Sequence, residues 1–77
     1  MNQFLLHKRQ CGLSYRAIGR ETGLNREYIR KLLTYPGEHK NIKAMILIGE
    51  HIGMSETIVR TEWVRLRKIE VLRRIGI

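Results

Sequence analysis

Apolar positions recur at three- and four-residue spacing along nearly the whole chain, and they do not alternate, which is the pattern of amphipathic helices. Breaks fall at Gly12, Gly23, Pro36-Gly37 and Gly53 and divide the pattern into five helices. The first is predicted over about Asn2 to Gln10, closing before Gly12, with Cys11 as a small apolar filler at its end. Ser14 is a natural cap for the second, which ends at Gly23. Asn25 caps a third over about Arg26 to Thr34, because Tyr35 precedes Pro36 and is pushed toward extended backbone. After a loop of residues 36–40, Asn41 caps a fourth over Ile42 to Ile52. Its Ala44, Met45, Leu47, Ile48 and Ile52 mark it as the core helix. From Glu56 the pattern runs to about Ile75 without Gly or Pro, predicting a helix of about 20 residues, roughly 30 Å long. The expected fold is all-α: one compact five-helix domain over residues 1–77 with a long C-terminal helix at about 56–75.

Within that frame, the second and third helices meet through Gly23-Leu24-Asn25, which suits a helix-turn-helix over residues 14–34. Gly23 can take the positive φ of a tight turn, Leu24 can fill the angle between the helices, and Gly19 allows a close approach that a larger side chain would block. Ile18, Ile29 and Leu32 then hold the pair together. Placed at 100° intervals, Tyr28, Ile29, Leu32 and Leu33 share one side of the third helix, while Arg26, Glu27, Arg30, Lys31 and Thr34 share the other. Arg26 and Arg30 are four apart, so like charges are adjacent unless an anion meets them.

Charge sharpens the picture. Fifteen Lys and Arg against seven acidic residues give a net charge of +8, which points to a polyanionic partner, nucleic acid first. An anionic membrane surface would also meet the charge, but no apolar run approaches the ~20 residues of a spanning helix. At 77 residues the chain has little room for an internal cleft, and no paired carboxylates, Ser-His-Asp set or glycine-rich phosphate loop stands out. Catalysis, cofactors and small-molecule ligands are therefore not expected. His7, His39 and His51 lack the spacing of a metal site, and lone Cys11 offers neither a disulfide nor a zinc pair. Phe4-Leu5-Leu6 runs directly into His7-Lys8-Arg9 with no small-residue cleavage site, so a cytoplasmic protein is expected.

The run from Leu5 to Asn25, with its basic first helix, Gly12-Leu13-Ser14 lead into the second helix, small residue at the tight contact and glycine turn, resembles the phage-repressor and Cro type (Xre-like) helix-turn-helix family. The resemblance continues through Asn41 to Ser55, whose apolar helix ends in Gly53-Met54-Ser55. Gly19 stands where alanine is more usual, Thr22 stands where leucine is common and so should weaken the packing of the pair, and the last helix is longer and more basic. The resemblance implies a DNA-binding transcriptional regulator, bacterial or phage-encoded and nucleoid-associated, acting through the major groove of double-stranded DNA. It implies base contacts from Arg26, Glu27, Arg30 and Lys31. It also implies phosphate contacts from Ser14, Tyr15 and Arg16 and from Lys40, Asn41 and Lys43. Two alternatives stay open: Glu27 can instead pair with Lys31 at i,i+4, and Tyr15 can instead be a core residue, as Tyr28 is expected to be.

The fifth helix carries Ile58, Val59, Trp63, Leu66, Ile69, Leu72 and Ile75 as one broad stripe, with basic residues elsewhere on its surface. A 30 Å helix outruns so small a core, so Leu66, Ile69, Leu72 and Ile75 are expected to pack against a second copy in a homodimer. Two alternatives to dimerisation stay open: the basic surface adds DNA-backbone contacts, or the helix docks on another protein. The rival functions are a protein-interaction module such as an antirepressor or adaptor, and a structured-RNA binder.

Overall fold

The computed structural model describes residues 2–76. It is all-α: α1 (Gln3–Cys11), α2 (Tyr15–Thr22), α3 (Arg26–Thr34), a 3₁₀ turn (Pro36–Glu38), α4 (Ile42–His51) and α5 (Glu56–Arg74). Each α-helix opens on a side chain suited to satisfy its first free amides: Asn2, Ser14, Asn25, Asn41 and Ser55 all accept from backbone N–H groups of the first turn. Asn2 also joins two helices, because its Nδ2 donates to the Leu33 carbonyl at 2.8 Å, near the end of α3. The sequence-predicted boundaries hold within one residue, with the segment after Tyr35 tightened into a 3₁₀ turn where a loop is expected.

The core gathers one stripe from each helix: Phe4 from α1, Ile18 from α2, Ile29, Leu32 and Leu33 from α3, Met45 and Ile48 from α4, and Val59 from α5, joined by Ile52 and Met54. Burying each large side chain contributes about 1.5–3 kcal/mol, so this cluster is the main source of stability in a chain of this size. Cys11 is not among these residues. It is exposed, its thiol resting 3.2 Å from the Lys8 carbonyl, because α1 ends at the surface and turns away there.

α5 departs from the single stripe that the sequence suggests. Val59, Trp63 and Leu66 face the body of the molecule, whereas Ile58, Ile69, Leu72 and Ile75 are exposed, as are Val64 and Val71. Leu66 therefore belongs to the core-facing side and is withdrawn from the predicted dimer set. The side of α5 facing away from the core carries Val64, Val71, Leu72 and Ile75, spaced at helical intervals.

The inner side of α5 holds the 3₁₀ turn in place. The Trp63 indole N–H donates to the His39 carbonyl at 2.8 Å, and Arg67 Nη1 donates to the Gly37 carbonyl at 2.9 Å. Gly37 lies so close that a Cβ there would sit 2.5 Å from the Leu66 carbonyl oxygen. Glu62, only 5% exposed, closes the other end. Its carboxylate accepts from the Gln3 backbone N–H at 2.7 Å and from Arg65 Nε and Nη2, both at 2.8 Å. These hydrogen bonds hold its pKa below the usual carboxylate value, the Arg65 bond contributing most. Among the described residues, no helix is long and apolar enough to cross a membrane.

Candidate nucleic-acid interface

α2 and α3 are joined by Gly23, Leu24 and Asn25. Gly23 has φ 77°, a conformation that would strain a residue with a Cβ. At Gly19 a Cβ would meet the Leu24 carbonyl oxygen at 2.8 Å, so the alanine more usual in the resembling family does not fit this turn without movement. Thr22 supplies a bond that leucine lacks: its hydroxyl donates to the Ile18 carbonyl at 2.8 Å and accepts from the Leu24 N–H at 3.3 Å. Where the sequence suggests weakened packing, Thr22 ties the end of α2 to the turn.

The rotation of α3 follows from what it buries. Ile29, Leu32 and Leu33 are fully enclosed, which turns Arg26, Glu27 and Lys31 into solvent with Arg30 half-exposed beside them. Asn25 Oδ1 accepts from the Glu27 and Tyr28 amides at 2.8 and 3.3 Å, fixing the start of the helix. Ser14, Tyr15 and Arg16 at the start of α2 line one shallow, open depression together with Arg26, Glu27 and Arg30. Two groups that the resemblance assigns to different tasks are thus adjacent on one surface. Lys31 is exposed on the same helix, and Lys40, Asn41 and Lys43 lie apart from the depression at the start of α4.

Glu27 does not pair with Lys31. Its Oε1 accepts from Arg30 Nε at 2.9 Å and also from Arg30 Nη2. That hydrogen bond lowers the Glu27 pKa and raises that of Arg30, so both are charged at neutral pH. The like-charge neighbours Arg26 and Arg30 are thereby relieved through Glu27. Tyr15 packs its ring against the core cluster, and Lys8 Nζ lies 4.3 Å from its centroid, a cation–π contact. Tyr28 packs on the core as expected, and its hydroxyl accepts from Asn41 Nδ2 at 3.0 Å. Because Asn41 Oδ1 also accepts from the Ala44 amide at 3.1 Å, this side chain is engaged in structure, leaving Lys40 and Lys43 as the open cations at that end.

Apart from Arg30 and Lys8, the cations of this part of the chain are unmet. Arg9, Arg16, Arg20, Arg26, Lys31, Lys40 and Lys43 are all exposed, and none forms an ion pair among the described residues. Sequence reasoning missed the Lys8–Tyr15 contact and the buried carboxylate of Glu62. The first has no sequence signal, whereas Glu62 stands three residues before Arg65, within reach of an i,i+3 pair. No group of three His, Cys, Asp or Glu side chains among the described residues could hold a metal ion. No family model, curated protein or solved structure matches the chain.

Proposed function

We propose that this chain is a sequence-specific regulator of transcription that binds double-stranded DNA through the major groove, of the phage-repressor and Cro type, acting as a repressor and as a dimer. The observation that carries this reading is the outer face of α3, where Arg26 and Lys31 are exposed without an ion-pair partner among the described residues and Arg30 stands half-exposed against Glu27, beside the open start of α2. A helix of this width fits the major groove, and arginine meets the guanine edge with two parallel hydrogen bonds. Tyr15 and Arg16, at the start of α2, suit a flanking phosphate, since amides there point along the favourable end of the helix dipole. Lys40 and Lys43 suit a second phosphate. The exposed seam of Val64, Val71, Leu72 and Ile75 supports pairing with a second copy, and two copies would read half-sites about one helical turn apart.

Selection of bound duplexes from a random library, followed by binding at increasing salt, tests this reading. A two-fold consensus bound orders of magnitude more tightly than scrambled duplex, with affinity falling steeply as salt rises, is the expected result. The seam on α5 also favours a second reading, a protein-interaction module on the same scaffold. Weak, sequence-blind duplex binding would select that reading and end the first.

A further inference from the structure

The sequence treats Glu27 and Arg30 as separate readers of bases, but the structure joins them. We infer that Glu27 is a positioning residue for Arg30, and that the pair presents the outer edge of one guanidinium to a guanine. This inference rests on the major-groove reading above.

Arginine has two edges able to make paired hydrogen bonds, one through Nε and Nη2 and the other through Nη1 and Nη2. Glu27 Oε1 occupies the first, accepting from Nε at 2.9 Å and from Nη2. The second edge keeps Nη1 and the remaining Nη2 hydrogen, the pair of donors that matches guanine O6 and N7. A free arginine side chain must be ordered on binding, at about 0.5–1.5 kcal/mol for a long side chain. Here that ordering is already made within the helix, between residues three apart whose backbone is fixed by Asn25 at one end and by Ile29, Leu32 and Leu33 behind. Arg26 supplies the contrast. It lies on the same exposed face, and no carboxylate pairs with it among the described residues. The inferred consequence is unequal selectivity: the base pair read by Arg30 is discriminated sharply, and the one met by Arg26 loosely.

The test uses the full chain and the duplex that library selection returns, with every single-base variant of one half-site measured for the parent, Arg30→Ala, Glu27→Ala and Glu27→Gln. Circular dichroism checks that each variant is folded. Arg30→Ala is expected to erase preference for guanine at one base pair. Glu27→Ala should reduce that same preference about threefold to tenfold, the size of the lost ordering, while affinity for scrambled duplex holds or rises because a negative charge is gone. Glu27→Gln, which keeps the acceptor without the charge, should restore part of the preference. If Arg30→Ala erases it and Glu27→Ala leaves it intact, the positioning role is overturned while groove binding stands. If Glu27→Ala instead changes preference at a different base pair, Glu27 is an independent reader and the inference is equally overturned. A parent chain with no base preference at any position would remove the groove reading itself.

Discussion

The segment from α1 to the start of α4 and the long helix α5 are both rich in arginine and lysine, yet they use these residues in different ways. Residues 1–43 hold nine basic side chains against three glutamates, and α5 holds six against three. On α5 most of the cations are met: Arg60 by Glu56, Arg65 by Glu62, Arg73 and Arg74 by Glu70, and Arg67 by the Gly37 carbonyl. In the first segment Arg30 alone forms an ion pair among the described residues. Charge counted along a sequence thus gives only a total, and only its pairing in three dimensions says which cations are left without a partner. Exposed ion pairs are worth little in stability, about 0–1 kcal/mol each. Their effect here is electrostatic: each carboxylate offsets a cation on α5, whereas on the α2–α3 surface Arg30 is the one arginine or lysine so offset among the described residues.

The sharpest way to break that contrast is to remove two arginines from each region. Arg26→Ala with Arg30→Ala should weaken binding to the selected duplex by about 100-fold or more, at ~1–3 kcal/mol for each base contact. Arg73→Ala with Arg74→Ala should change it by only a few fold, since these side chains already have glutamate partners. Equal losses in a fluorescence-anisotropy titration would show that the molecule binds by overall charge and that pairing on α5 means nothing.

A second comparison sets two glycines against each other. At Gly37 an added methyl meets the backbone of Leu66 at 2.5 Å and gains nothing in return, so Gly37→Ala should destabilise by about 1–3 kcal/mol. For a domain of this size each kcal/mol lowers Tm by roughly 4–8 °C. At Gly19 the clash with the Leu24 carbonyl is milder, at 2.8 Å, and alanine recovers about 1 kcal/mol of helix propensity inside α2. Gly19→Ala should therefore be the less damaging of the two in a thermal melt. The reverse order would mean that the α2–α3 turn, and not the clamp of α5 on the 3₁₀ turn, is the less yielding part.

Much of this architecture was legible in the chain, because capping residues and hydrophobic spacing are local signals. Asn25 before Arg26 and Tyr35 before Pro36 mark the ends of α3 without any knowledge of what it packs against. The same spacing sorted Arg26, Glu27 and Lys31 outward. Long-range choices were not legible. Trp63 reaches the carbonyl of a residue 24 positions away, and Gln3 reaches Glu62 across 59. The stripe on α5 failed for a related reason: apolar residues occur nearly all round that helix, so spacing alone could not tell Leu66, which packs inward, from Val64 and Val71, which do not. Pairing of Glu27 with Arg30 in preference to Lys31 was likewise open, because i,i+3 and i,i+4 partners lie at similar distances on a helix.

Glu62 offers a smaller effect that separates the regions by pH. Its carboxylate is held below its ordinary value of 4.5 in the folded chain, so its contribution is fully present above that value and is lost as pH falls through the lower folded pKa. Stability measured by urea unfolding should decline below about pH 4.5. Glu62→Gln, which keeps an acceptor for the Gln3 amide and loses the ion pair, should cost about 1–3 kcal/mol at neutral pH and flatten that decline. A decline of unchanged steepness in the variant would place the acid sensitivity elsewhere.

The least costly change in stability falls on the outward seam of α5, and it is informative because salt acts on it with the opposite sign. Val64, Val71, Leu72 and Ile75 are already exposed, Ile75 at 62%, so Val71→Lys with Leu72→Lys should alter unfolding free energy by no more than about 0.5 kcal/mol per site. Two copies meeting along this seam bring Lys68, which has no ion-pair partner among the described residues, close to its counterpart, while Glu62 and Glu70 are already engaged by Arg65, Arg73 and Arg74. Self-association should therefore strengthen as salt screens that repulsion, over the same range in which duplex binding weakens. Sedimentation at several salt concentrations would show the parent chain moving toward the dimer and the double variant remaining monomeric. A parent that dissociates as salt rises would mean that the copies are held by charge, and the apolar seam would then be left for a different partner.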